Sequence, residues 1–131
     1  MNFIGVDLHK KIITVCVMDE KLAVLARKTL YCDQPDRIVE FFRQSRPFKV
    51  VVEATASYHW LVELIEPLAE AVLLAHPKKL RVIAESAKKT DRLDAQVLAE
   101  FLALGLIRPV KGATVGLMLS FNMLKSDVEV G

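Results

Sequence analysis

The chain has 131 residues, a formal net charge of +2, and 53% hydrophobic residues. This length allows one domain with a sizeable core, and this composition leaves little of the chain to be disordered. No apolar run reaches the ~20 residues that a membrane-spanning helix needs, and the start of the chain lacks the pattern of a signal peptide. We therefore expect a cytoplasmic protein with no membrane partner.

The hydrophobic pattern predicts an α/β domain with five strands. Three antiparallel strands come first, and helices then alternate with strands, which predicts a mixed sheet flanked by helices. The predicted strands cover residues 3–8, 11–18, 22–32, 48–53 and 71–75, and the predicted helices cover 36–45, 57–68, a segment beginning at Pro77, and 91–104. Residues 1–110 are interpreted as the domain, and residues 111–131 as a tail of different character.

The two cysteines, Cys16 and Cys32, lie in the second and third predicted strands. A hairpin turning near residues 19–21 places Cys16 opposite about Val24. We therefore expect two reduced thiols rather than a disulfide.

Four carboxylates occupy positions where core or cap residues would be usual. Asp7 and Glu53 each end an apolar strand, and Asp91 and Asp94 open the last predicted helix. If the first and fourth strands are parallel neighbours, Asp7 and Glu53 lie ~4.8 Å apart and repel each other unless a cation compensates them. On a helical wheel, Asp91 and Asp94 share a ~100° stripe with Leu98, the face that should meet the sheet.

Each acid also has an ordinary explanation. A strand-end acid such as Glu53 can turn to solvent, and an aspartate at a helix start can cap the helix. The four positions together favour a site that holds divalent metal against phosphate.

Basic residues cluster just before the last pair of acids. Residues 71–111 contain 8 Lys and Arg residues but only 4 acidic ones. On charge alone a solvated helix face is the favoured explanation of such a cluster, but basic charge beside carboxylates is also what a metal site acting on a polyanion needs. Lys88, Lys89 and Arg92 are the candidates to hold the phosphate backbone of a nucleic acid, a contact that would be independent of base sequence.

Several motifs carry a family resemblance. They are Gly5-Val6-Asp7-Leu8-His9-Lys10, Val52-Glu53-Ala54-Thr55-Ala56-Ser57-Tyr58, His76-Pro77 and Lys89-Thr90-Asp91-Arg92-Leu93-Asp94-Ala95. In this order and spacing they resemble the N-terminal domain of the DEDD transposases. These are recombinases of the insertion-sequence "one-ten" family, and their domain is similar to the Holliday-junction resolvase RuvC. The resemblance covers about residues 1–110.

The resemblance implies a ribonuclease H-like fold and a DNA transposase function. It makes Asp7, Glu53, Asp91 and Asp94 a catalytic tetrad that binds Mg²⁺ or Mn²⁺. It also implies a guide RNA, a homo-oligomer assembled on DNA, and a second domain that supplies a catalytic serine. Because residues 111–131 do not resemble the region leading to that domain, we expect this chain to be a truncated part, inactive alone in strand exchange.

Two other functions fit parts of the sequence. An ATP-binding domain of the actin and sugar-kinase type also opens with Gly-x-Asp, although only five glycines are present and none cluster near a strand–helix junction. A non-catalytic nucleic-acid-binding or assembly module is the second alternative. His9 and Lys10, which follow Asp7, are interpreted as a solvated turn.

Overall fold

The structure is a computed structural model, and it describes residues 1–53, 57–75 and 94–107. Within these ranges the chain forms five strands, three α-helices and one short 3-10 helix. The strands are β1 (Asn2–Leu8), β2 (Ile12–Met18), β3 (Val24–Tyr31), β4 (Phe48–Glu53) and β5 (Ala71–Ala75). The helices are α1 (Pro35–Gln44), α2 (His59–Ile65), followed by the 3-10 helix (Glu66–Leu68), and α3 (Ala95–Ala103).

The strands form one mixed sheet with the order β3-β2-β1-β4-β5. Strand β1 pairs antiparallel with β2 and parallel with β4, and β5 extends the parallel half. This arrangement confirms the α/β class and the five-stranded mixed sheet, and it is consistent with a ribonuclease H-like fold. The parallel pairing of the first and fourth strands, on which the predicted acid pair depends, is present.

The β2–β3 hairpin differs in register from its prediction. Cys16 lies opposite Arg27, not near Val24, because the turn is longer than a tight hairpin and a bulge lies at residues 17 and 18. The Asp19 side chain accepts hydrogen bonds from the backbone N–H groups of residues 21 and 23, which stabilises this longer turn. Both cysteines are free, as predicted.

One face of the sheet is covered by α3 at very short range. Gly5 lies against the helix backbone, and a Cβ atom there would stand 2.0 Å from the carbonyl oxygen of Ala95 and 2.6 Å from the backbone nitrogen of Ala99. Cys16 and Met18 of β2 pack with the same two alanines. Small residues on both sides therefore allow the helix and sheet backbones to approach closely.

The main core combines the strands with all three helices. Strand residues with alternate spacing, such as Ile4 and Val6, are fully buried. Helix α1 contributes Ile38 and Phe42, which are one turn apart, and α2 contributes Leu61 and Ile65 with the same spacing. The apolar stripes of α1 and α2 thus follow the predicted helical period.

The last helix begins later than predicted. Asp94 has extended backbone angles and α3 starts at Ala95. Asp94 therefore precedes the helix, and the helical-wheel position predicted for it does not apply. The helix predicted from Pro77, the residues before Asp94 in the last predicted helix, and the tail at 111–131 lie outside the described residues. In the described part of the chain, no helix is long and apolar enough to span a membrane.

Candidate metal site at the ends of two parallel strands

The acid pair lies where two central parallel strands end. Val6 of β1 pairs with Val52 of β4, so the residues that follow, Asp7 and Glu53, occupy adjacent positions across the two strands. The Asp7 side chain is 13% exposed, and Glu53 is half-buried. Two carboxylates on neighbouring strands, largely withdrawn from solvent, offer hard oxygen donors on one side of the sheet.

Both acids belong to the face that α3 covers. Side chains along a strand alternate between the two faces, so Asp7 shares the face of Gly5, which contacts the helix. Val51 pairs with Gly5, and Glu53 follows it by two positions and therefore shares that face as well. Asp7 and Glu53 therefore lie on the side of the sheet against which α3 packs.

Asp94 lies at the N-terminus of the same helix and caps it. Its carboxylate Oδ1 accepts a hydrogen bond from the backbone N–H of Val97, 2.9 Å away. The capping explanation that the sequence left open is therefore correct for Asp94. This bond engages one carboxylate oxygen, and metal binding through the other oxygen is compatible with it.

His9 contacts the acid pair directly. Its Nε2 lies 3.1 Å from Oδ2 of Asp7, and its side chain is 50% exposed. The sequence placed His9 in a solvated turn, which describes its exposure but misses this contact. The spacing of two residues along an extended chain, which places both side chains on one face, was the sequence feature that would have predicted it.

The surroundings of Cys16 show that charge lies near the start of α3. Burial raises the pKa of the Cys16 thiol, with a smaller rise from the negative charge of Asp94, while Arg27 lowers it. Arg27 also donates a hydrogen bond to the side chain of Gln96 in the first turn of the helix. The N-terminus of α3 is therefore fixed against β2 and β3 as well as β1.

The structure brings together some of the predicted site residues and not others. Asp7 and Glu53 are neighbours, but no group of three or more His, Cys, Asp or Glu side chains within residues 1–53, 57–75 and 94–107 is arranged to hold a metal ion. Asp94 therefore does not complete a three-ligand group with the pair. The fourth predicted ligand, Asp91, and the predicted DNA contacts Lys88, Lys89 and Arg92 lie outside the described residues.

The sheet order and the acid pair define the class as a ribonuclease H-like α/β domain with acids at the ends of its central parallel strands. The chain belongs to the DEDD transposases of the IS110 type, because the model of that family, described as a transposase, matches residues 4–124. This confirms the resemblance found in the sequence and disfavours an ATP-binding domain of the actin and sugar-kinase type. The match extends beyond residue 110 into the segment interpreted as a tail.

A curated relative agrees with this assignment. A probable family 20 transposase from Pseudomonas aeruginosa strain PAO1 is 30% identical over 128 residues, covering 96% of this chain and 37% of that protein. The chain thus spans little more than a third of the length of this relative.

Proposed function

We propose that this chain is the metal-binding half of a DNA transposase that acts on phosphodiester bonds during insertion-sequence transposition. The adjacent placement of Asp7 and Glu53 at the ends of β1 and β4, in a chain of the transposase family, carries the proposal. The guide RNA and homo-oligomer implied by the sequence resemblance belong to the proposal for the whole protein.

The side chains of the acid pair are of the type that binds hard divalent cations. Asp7 and Glu53 supply carboxylate oxygens from one sheet face, the donors that Mg²⁺ and Mn²⁺ prefer. The family resemblance adds Asp91 and Asp94 to the proposed ligand set. Asp94 also caps α3 and, within the described residues, forms no three-ligand group with the pair. When bound, Mg²⁺ supplies charge stabilisation to the phosphate and to the attacking and leaving oxygens.

The remaining residues act on the nucleic acid by position and charge. Lys88, Lys89 and Arg92 hold the DNA backbone, which aligns the scissile phosphate without reading bases. The proposed covalent nucleophile is a serine in another domain of the whole protein. For residues 1–131 alone we propose at most slow hydrolytic nicking, with water as the nucleophile. If no cleavage occurs, the non-catalytic nucleic-acid-binding or assembly module is the function that remains.

Thermal unfolding with and without metal tests the site. Saturation with Mg²⁺ or Mn²⁺ at ~100-fold above the dissociation constant stabilises the folded state by about 2.7 kcal/mol. For a domain of this size this corresponds to a rise of roughly 5 to 15 °C in melting temperature. Asp7→Asn removes a ligand charge at nearly constant shape, so the rise should disappear while the apo protein stays folded.

The matched control is Glu63→Gln, which removes one negative charge from an exposed position of α2. It should leave the metal-dependent rise intact, because Glu63 lies outside the acid pair. A wild-type protein whose melting temperature does not respond to either metal would show that the ligands do not assemble in this chain.

A further inference from the structure

The backbone of His9 is fixed by two hydrogen bonds that do not involve its side chain. Its N–H donates to the carbonyl oxygen of Ile12, 2.9 Å away, in the turn between β1 and β2. Its carbonyl oxygen accepts from Sγ of Cys32 at 3.8 Å. Because both backbone groups are engaged, orienting the imidazole ring costs less conformational entropy than in a free loop.

The ring nitrogen and the carboxylate form a directed hydrogen bond. The distance from His9 Nε2 to Asp7 Oδ2 is 3.1 Å. A carboxylate oxygen accepts, so the bond is made by the tautomer that has its hydrogen on Nε2. The bond occupies Oδ2 and leaves Oδ1 as the second oxygen that a cation could take. The Asp7 side chain is 13% exposed and that of His9 is 50% exposed, so the contact is open to solvent on the histidine side.

We infer that His9 is a positioning residue, which fixes the rotamer of Asp7 so that its second oxygen is ready for metal. The inference rests on the proposed function, since it concerns the same site. A hydrogen bond from an outer residue to a carboxylate ligand typically contributes 10- to 100-fold to metal affinity. His9 itself does not touch the metal or the phosphate in this role.

The test is a titration of the 131-residue chain with Mn²⁺, followed by electron paramagnetic resonance, and with Mg²⁺, followed by calorimetry. His9→Ala should weaken binding of both metals by about 10- to 100-fold. His9→Gln places an amide N–H near the position of Nε2 and should restore much of the loss. Lys10→Ala, a change at the next position of the turn, should leave both affinities within about twofold, because Lys10 is exposed and substitutions at such positions usually have small effects.

Two further measurements separate positioning from other roles. Thermal unfolding of His9→Ala without metal should match the wild type within about 1 kcal/mol, because an exposed pair contributes little to stability. Pulsed electron paramagnetic resonance of the wild-type Mn²⁺ complex should show no coupling of the metal to a histidine nitrogen. The spectra of wild type and His9→Ala should therefore show the same nitrogen couplings. Such a coupling, or a loss of affinity confined to Mn²⁺, would make His9 a direct ligand and overturn the inference.

The inference and the proposed function fail in different ways. If wild type binds metal, Asp7→Asn does not, and His9→Ala binds as wild type, His9 has no positioning role and the proposed function stands. If wild type binds neither metal, the proposed function fails and the inference fails with it.

Discussion

Asp94 has two roles: it caps helix α3 in the structure, and it is one of the proposed metal ligands. Its side chain caps α3 through the N–H of Val97, and caps are predictable from sequence because Asp, Asn and Ser share this chemistry. The sequence instead favoured a place for Asp94 on the core face of the helix. That interpretation failed because a helical wheel assumes that the helix has already begun, whereas Asp94 has extended backbone angles.

Two substitutions at Asp94 separate these tasks. Asp94→Ala loses the cap and should cost about 1 kcal/mol in the free energy of unfolding. Asp94→Asn keeps an equally good cap, so it should unfold like the wild type in urea while losing most of its metal affinity. Unchanged metal affinity in Asp94→Asn would remove Asp94 from the proposed ligand set.

The two cysteines should differ in reactivity. Cys16 is 1% exposed, and burial raises its pKa, so alkylation at pH 7.5 should proceed at least about tenfold more slowly than at the partly exposed Cys32. Burial also raises the pKa of Cys32, with a further rise from Asp33. A raised pKa keeps each thiol protonated at neutral pH, so both rates should climb as the pH passes above the usual cysteine range.

Mass spectrometry of timed iodoacetamide reactions measures both rates, and urea-unfolded protein is the control in which the difference should vanish. Equal rates in the folded protein would mean that Cys16 is accessible and that α3 does not cover it.

At the scale of elements, the contact between α3 and the sheet depends on Gly5. The sequence showed Gly5 within the Gly-x-Asp motif, but no local pattern reveals which helix approaches it, because that distance is set by tertiary packing. The strands and the two amphipathic helices were predictable, since a period of two or of about 3.6 residues is a local property. The hairpin register was not, because one bulge and one longer turn move every pair beyond them.

Gly5→Ala should be strongly destabilising. The new methyl group meets backbone atoms of α3 at 2.0 and 2.6 Å, which cannot rotate away, and overpacking of this kind costs about 3 kcal/mol. Urea denaturation measures the loss of unfolding free energy.

Gly105→Ala is the matched control for this prediction. At Gly105 the backbone φ is +77° and no atom lies within 4 Å of the added methyl group, so only the left-handed backbone penalty of about 1 to 2 kcal/mol applies. A Gly5→Ala loss no larger than that of Gly105→Ala would show that the helix moves away from the sheet at little cost.

At the scale of the whole molecule, the fold class and the adjacent placement of Asp7 and Glu53 followed from the sequence. The end positions of Asp7 and Glu53 predicted a pair because the ends of parallel neighbouring strands meet at one edge of a sheet. The contact of His9 with Asp7 was missed because His9 was interpreted as a solvated turn residue, although its spacing of two residues from Asp7 allowed both side chains to lie on one face.

DNA binding by the proposed basic contacts should depend steeply on salt. Replacing Lys88 and Lys89 together by Ala should weaken binding equally for unrelated duplexes and reduce the slope of log affinity against log salt by about 2, because fewer counterions are released. Fluorescence anisotropy at several salt concentrations measures the slope.

Lys21→Ala with Lys28→Ala removes the same charge from exposed positions of the β2–β3 hairpin and serves as the control. It should change the slope by less than half as much. A loss of affinity restricted to one duplex would mean that Lys88 and Lys89 read bases rather than the backbone.

The parallel pairing of β1 with β4 has a consequence for folding. Asp7 lies in a three-stranded antiparallel meander, whose contacts are local in sequence, whereas Glu53 arrives only when the chain has closed the long connection through β2, β3 and α1. Closing that loop carries an entropic cost before the strand pair contributes any stability, so it belongs to the slower, long-range part of folding. The two carboxylates are therefore separate in any intermediate that contains the meander alone. If the pair binds a cation as proposed, the time at which a refolding chain first binds metal reports when this strand pairing forms.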